Sequence, residues 1–197
     1  ALTHHSAVDA TLRFSERCRR QPLWVSECDI TGFFDSVSHE IVRRELHRLM
    51  RDIGKTPSRS LLAFIDSFLS GYSYSDVRQV ALQRLSRMKV SNPNIFDADA
   101  ARRKAGISAK DGERLGIPQG SALSCVLANV VLASADEACG KVMAHHRRSF
   151  YARYCDDVVI ASTNRRITQR AMASYRIALG RLELPFHPME VVGPHDK

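Results

Sequence analysis

The sequence predicts an α+β fold, an antiparallel sheet with helices packed on one face. Three observations predict it. Residues 23–30 (LWVSECDI) alternate in the way a half-buried strand does. Two short runs rich in aromatic and β-branched residues, 150–154 and 158–161, flank the pair Asp156-Asp157 and read as the arms of a hairpin. Between and after these, apolar residues recur at helical spacing over long stretches.

In chain order, residues 6–20 read as a helix. Ser6 can cap it; Ala7, Ala10, Leu12, Phe14 and Cys18 form its apolar face, and Arg13, Arg17, Arg19 and Arg20 its basic side. Pro22 ends it. In the strand, Leu23, Val25, Glu27 and Asp29 share one face, and Trp24, Ser26, Cys28 and Ile30 the other, so Asp29 emerges at the strand end. Ser38 is placed to cap a helix reaching about Met50, with Ile41, Val42, Leu46, Leu49 and Met50 as its buried stripe. Asp35 is expected to cap this helix rather than bind metal. After Gly54-Lys55-Thr56-Pro57, a second helix carries Leu61, Leu62, Ile65, Phe68 and Leu69 inward and stops at Gly71. Residues 77–88 are expected to be helical, Asn92-Pro93-Asn94 a turn, and Arg102, Arg103 and Lys104 a short basic cluster. Residues 121–139 are almost entirely apolar or small, the pattern of a helix buried all round. The hairpin follows. A last helix places Ile167, Ala171, Tyr175, Ala178 and Leu182 inward and Arg165, Arg166 and Arg170 outward, before an extended piece at 184–188.

The 197 residues suffice to bury a core as one domain or two small ones. The formal net charge is +8, from 29 Lys and Arg against 21 acids, which favours a polyanion such as nucleic acid or an anionic membrane. No uninterrupted run of 18 apolar residues occurs, so no membrane span is expected, and a membrane is not among the expected partners. The five cysteines, Cys18, Cys28, Cys125, Cys139 and Cys155, lack Cys-x-x-Cys spacing and read as reduced thiols of a cytoplasmic protein. The pairs His4-His5 and His145-His146 have no partners at ligand spacing and read as surface residues.

The chemistry concentrates in three stretches. The first is Asp156-Asp157 between strand-like runs. Two unit charges about 4 Å apart repel by roughly 4 kcal/mol at an effective dielectric of about 20. A cation shared between them removes that cost, and oxygen-seeking Mg²⁺ suits two carboxylates. Alone, such a pair reads as a solvated turn. The second stretch changes this: a strand ending in Asp29, followed by Ile30-Thr31-Gly32-Phe33-Phe34-Asp35. The third is Gly116-Ile117-Pro118-Gln119-Gly120-Ser121.

Together and in this order, the three resemble the palm motifs of a reverse transcriptase. The closest flavour is bacterial, that of group II intron-like, retron-like and defence-associated enzymes, and the resemblance covers residues 4–190. It implies a right-hand polymerase palm with part of a helical fingers region: residues 1–22 connecting fingers to palm, residues 23–197 as palm, with an insertion at about 72–115. It also implies an RNA-directed DNA polymerase using two Mg²⁺ ions, with Mn²⁺ as a substitute. Its partners would be an RNA template, a DNA primer and dNTPs, with a dedicated non-coding RNA as an option. Asp29 and Asp156 would bridge the metals, with the Ile30 carbonyl adding a contact, and Asp157 would contribute charge. Phe34 would exclude a ribose 2′-hydroxyl. Phe33 reads as core. Gln119 and Gly120 would lie against the nascent pair and its template. The triphosphate-gripping fingers residues and a thumb are expected to lie outside this chain, and Met189-Glu190 stand where a Lys-Thr pair is usual. Two other functions fit the same motifs: an RNA-binding protein of the intron-maturase kind, and a template-independent or protein-primed DNA polymerase.

Overall fold

The computed structural model describes residues 4–71, 97–108, 110 and 112–194. The chain forms two compact units. The first comprises Ala1–Ile30, Ser134–Arg181 and Phe186–Lys197; the second comprises Thr31–Ala133 and Leu182–Pro185.

The first unit is built on an antiparallel sheet of β1 (Trp24–Cys28), β2 (Ser149–Tyr154) and β3 (Asp157–Ser162) in the order β1-β3-β2. The register pairs Cys28 with Val158 and Tyr154 with Asp157. Because side chains alternate across a strand, Ser26, Cys28, Val158, Ile160 and Tyr151 share one face. Val25, Glu27, Ala161, Val159, Phe150 and Ala152 share the other.

Helix α7 (Arg165–Arg181) covers the first face. Thr168 Oγ1 donates to the Trp24 carbonyl at 3.3 Å, and Ser26 Oγ lies 3.7 Å from Met172 Sδ. The C-terminal half of α6 (Ala122–Met143) joins it there through Asp136, which accepts from Tyr151 and Arg153, and Cys139. The opposite face is covered at one end only. There Phe14 of α1 (His4–Arg17), with Cys18 just after the helix, packs on Ala161, Val25, Leu23 and Phe150. The Phe14 and Phe150 rings stack at 5.2 Å. The free edge of β1 takes the tail, through bridges Ile30 to Phe186 and Val25 to Val192.

The second unit holds α2 (Phe33–Ser36), α3 (His39–Asp52), α4 (Arg59–Ser70) and α5 (Asp97–Lys104). Ile41, Val42 and Leu46 of α3, and Ile65 and Leu69 of α4, are buried at helical spacing. Ser58 caps α4, its hydroxyl accepting from the Leu61 N–H at 3.1 Å.

Seven expectations change. Ser6 lies inside α1 and Asp35 inside α2, so neither stands at the cap position expected of it; the N-cap position of α3 is held by Ser38. Leu12 is 58% exposed; the apolar packing on the sheet comes from Phe14 and, just past the end of α1, from Cys18. Ser38 stands at the N-cap of α3 with extended backbone but makes no side-chain cap bond; the adjacent His39 N–H instead donates to the Arg114 carbonyl at 3.0 Å, beside the bridge from Ser38 to Leu115. α6 is not buried all round: Leu127, Ala128, Val131, Leu132, Ala135 and Cys139 are inside, while Cys125 and Val126 face out. By its 22 residues and mean hydropathy of 1.4 it is long and apolar enough to cross a membrane, yet its inward stripe is that of a core helix. The hairpin turn falls on Cys155-Asp156, so Asp157 opens β3 rather than sharing the turn. Arg102 is not part of a surface basic cluster; it is 3% exposed and donates to the Ser36 carbonyl at 2.9 Å and to Glu113 at 3.0 Å. The helix expected at 77–88 and the turn at Asn92-Pro93-Asn94 lie outside the described residues.

Candidate active site

Three carboxylates gather at one end of the sheet in the first unit. Asp29 follows the last residue of β1, Asp156 lies in the hairpin turn, and Asp157 begins β3, next to the Val158 that pairs with Cys28. Asp29 and Asp157 are exposed and Asp156 is half-buried. Burial raises the Asp156 pKa, and the charges of Asp29 and Asp157 raise it further. The same two charges act on the Cys28 thiol, which burial and their repulsion push up to about 12. Cys28 is therefore a protonated core residue at neutral pH. Among the described residues no group of three His, Cys, Asp or Glu side chains stands close enough to hold an ion. The carboxylates share one electrostatic field without converging on one point. Their hard oxygen donors and mutual repulsion suit a divalent cation such as Mg²⁺.

The turn itself is constrained. Cys155 has φ of 53°, whereas Asp156 does not share this left-handed backbone. A non-glycine residue there costs on the order of 1–3 kcal/mol and persists only when its surroundings enforce it. One group that holds it is Arg153, which the sequence did not single out. Its Nη1 donates to the Cys155 carbonyl at 2.7 Å, while Nε and Nη2 grip Asp136 of α6 at 2.8 and 2.6 Å. Burial opposes the Arg153 charge, but the hydrogen bonds and charge of Asp136 outweigh it and raise its pKa. Tyr151 Oη adds a third bond to Asp136 at 2.5 Å. His187 is a second residue the sequence left unassigned. The tail brings its Nε2 to 3.7 Å from Asp29 Oδ2, and its N–H donates to the Asp29 carbonyl at 3.1 Å. The bridge at Ile30 uses the Asp29 carbonyl and the Thr31 N–H, so it does not occupy the Ile30 carbonyl.

The second unit carries Phe34, Gln119 and Gly120 and brings them onto neighbouring segments. The Ile117 N–H donates to the Phe34 carbonyl at 2.7 Å and the Gly116 N–H to the Val37 carbonyl at 2.8 Å. His39 Nε2–H donates to the Gly116 carbonyl at 2.8 Å, and Ser124 Oγ–H donates to the Pro118 carbonyl. Gln119 and Gly120 are exposed beyond these anchors. Gly120 has φ of 84° with nothing within 4 Å of a built Cβ, so backbone conformation rather than close approach requires glycine. Phe33 is buried, as expected; Phe34 is half-buried and meets it edge-on at 5.2 Å.

Residues 3–189 match the model of the reverse transcriptase (RNA-dependent DNA polymerase) family. The chain belongs to that family, whose members are nucleotidyltransferases. Among solved structures it is similar to apo telomerase from Candida tropicalis truncated from its C-terminal domain, with 10% identity, a TM-score of 0.61, and coverage of 99% of this chain and 36% of that one. It is also similar to telomerase from Candida albicans in complex with the TWJ fragment of telomeric RNA, with 12% identity, a TM-score of 0.56, and coverage of 99% and 31%. At these identities the likeness is one of fold, a polymerase palm. The chain spans about a third of the length of those telomerase chains. No curated protein matches it.

Proposed function

We propose that the protein is an RNA-directed DNA polymerase that joins a dNTP to a primer 3′-hydroxyl. The observation that carries this is the set Asp29, Asp156 and Asp157, brought to one end of the sheet by two paired strands and their turn, where burial first and then the charges of Asp29 and Asp157 raise the Asp156 pKa. The family supports a polymerase, and the fold shared with a telomerase solved with RNA supports an RNA template.

Asp29, Asp156 and Asp157 would hold the divalent cations, Mg²⁺ by the hardness of their oxygens. When bound, such a pair of ions activates a nucleophile and stabilises a leaving oxygen in an in-line displacement. The chain's own residues supply placement. Arg153 and Asp136 fix the turn from which Asp156 projects. By the resemblance of its motif, Phe34 would present a ring against the incoming sugar. Gln119 and Gly120, on a loop anchored to the Phe34 segment, would lie along the template strand. Much of the rate would come from this positioning and from charge neutralisation.

The bacterial flavour of the motifs extends the reading to a cytoplasmic, defence-associated enzyme copying a dedicated non-coding RNA. Primer extension on RNA, on DNA and without template, with the products sequenced, tests the whole. Products complementary to RNA and dependent on Mg²⁺ are expected. Untemplated products, or RNA binding without synthesis, would replace this reading with a template-independent polymerase or a maturase-type protein.

A further inference from the structure

The outward face of α7 is a strongly charged surface. Arg165, Arg166, Arg170, Arg176 and Arg181 are all exposed, and the helix contains no Asp or Glu. Arg165, Arg166 and Arg170 form no ion pair among the described residues. Fold stability does not account for them. Arg165 and Arg166 open the helix, where the dipole favours anions. Arg166 and Arg170 stand four residues apart, where like charges repel. These positions cost stability unless an anionic partner occupies the face.

The face also lies behind the sheet. The inward side of α7 packs on Trp24, Ser26 and Tyr151. By alternation from Val158, which is buried on that covered face, Asp157 projects from the opposite side. A strand lying on the outer face of α7 is therefore not the strand at the carboxylates.

We propose that the outer face of α7 is a second docking surface for the sugar-phosphate backbone of RNA, holding a part of the RNA that is not being copied. The proposal rests on the polymerase reading for the identity of the polyanion. Two observations choose RNA over other acidic partners. From Arg165 to Arg181 the charges run about 24 Å along the helix axis, which suits an extended polyanion such as a nucleic-acid backbone. The only large apolar residue on this face is Ile177, with Ala173 and Gly180 beside it. Helices that enter a lipid interface carry Trp, Phe or Leu there, so this one has charge and no wedge.

The test compares Arg165→Gln/Arg166→Gln/Arg170→Gln with a charge-matched control, Arg51→Gln/Lys55→Gln/Arg59→Gln. Each lowers the net charge equally. The probes are a hairpin RNA carrying a single-stranded extension, and a short template–primer too small to reach α7. For the α7 variant, the slope of log K against log salt on the hairpin RNA should fall by about 2, since each contact on a single strand contributes about 0.7. Extension of the short template–primer should be unchanged, and the melting temperature unchanged or higher, because unfavourable charges are removed. The control should leave the slope within one contact of the parent. An unchanged slope in the α7 variant overturns the proposal, as does an equal fall in both variants. So does binding of polyglutamate or anionic vesicles as tight as that of RNA and lost with the same three arginines. Failure of the unsubstituted protein to extend the short template–primer strikes at the polymerase reading instead.

Discussion

The Arg153 guanidinium donates to the Cys155 carbonyl at 2.7 Å, one residue before the Asp156 carboxylate. The bond reaches across the turn of a hairpin, from β2 to a residue held at φ of 53°. It is rigid because the other edge of the guanidinium is gripped by Asp136 through two bonds. A planar fork with fixed donors can hold a carboxylate and a carbonyl together; a lysine amine cannot hold the same geometry.

Arg153→Lys should therefore loosen the turn without unfolding the sheet. The expected result is a lower kcat and a higher Mg²⁺ requirement, with the dNTP KM little changed. Asp136→Asn should act in the same direction and less strongly, because it keeps the shape and loses the charge. Breaking a largely buried ion pair costs roughly 3 kcal/mol, so both variants should be compared below their melting temperatures. A loss of activity in step with stability, with no change in Mg²⁺ dependence, would mean that Arg153 only supports the fold.

Asp29→Asn and Asp156→Asn remove one negative charge each from the end of the sheet. Both should abolish primer extension while leaving RNA binding near the parent value. In the parent, Mg²⁺ should raise the melting temperature by relieving the repulsion of Asp29 and Asp157, which adds to burial in raising the Asp156 pKa. In Asp156→Asn that gain should shrink, and the protein without Mg²⁺ should be as stable as the parent or more so. Extension at parental rates in either variant would remove the carboxylate from the site.

Much of the fold was legible in the sequence. Alternation in residues 23–30 placed Asp29 at a strand end, and helical spacing found the inward faces of α3, α4 and α7. What escaped depends on contacts between distant residues. Nothing near Arg153 announces that Asp136 will stand beneath it, since the partner is 17 residues away on another element. Arg102 sat in a run of three basic residues that reads as surface; only Glu113 and the Ser36 carbonyl explain its burial. His187 meets Asp29 because the tail returns along β1, and two isolated bridges leave no strand-length pattern. The one-residue displacement of the turn reflects Cys155 in a left-handed conformation, which composition disfavours and Arg153 helps to hold.

His39 gives the second unit a pH dependence. Its ring is buried and donates to Gly116 at 2.8 Å. Burial lowers its pKa most; the Gly116 bond opposes this, Arg114 and Arg43 add to it, and Asp66 opposes it. The unfolded chain thus takes up a proton before the folded one does. The stability this creates is fully present above about pH 6.5 and is lost as pH falls through the folded value. His39→Gln retains a donor for Gly116 without this titration. The loss of stability between pH 7 and pH 5, from denaturant unfolding, should be smaller in the variant. An identical loss in both would assign the pH dependence to carboxylates elsewhere.

Phe34 carries the prediction about substrate choice. Two roles compete for a half-buried ring: part of the core, or a wall beside the incoming sugar. Phe33 fills the core position, fully buried, and Phe34 meets it edge-on at 5.2 Å, so the Phe34 ring is supported on one side. What fixes its segment is backbone. The Phe34 carbonyl accepts from Ile117 and the Val37 carbonyl from Gly116, bonds that survive truncation of the side chain. Phe34→Ala should therefore cost less than the 3–5 kcal/mol typical of a buried Phe→Ala change and leave the loop carrying Gln119 and Gly120 in place. With the ring gone, a 2′-hydroxyl gains room. Incorporation of rNTPs should rise while dNTP incorporation falls modestly, so the ratio of kcat/KM for dNTP over rNTP should drop by an order of magnitude or more. Phe33→Leu, which perturbs the core without opening the wall, should change stability and leave that ratio alone. A ratio preserved in Phe34→Ala would return the ring to the core and require another residue to exclude the hydroxyl.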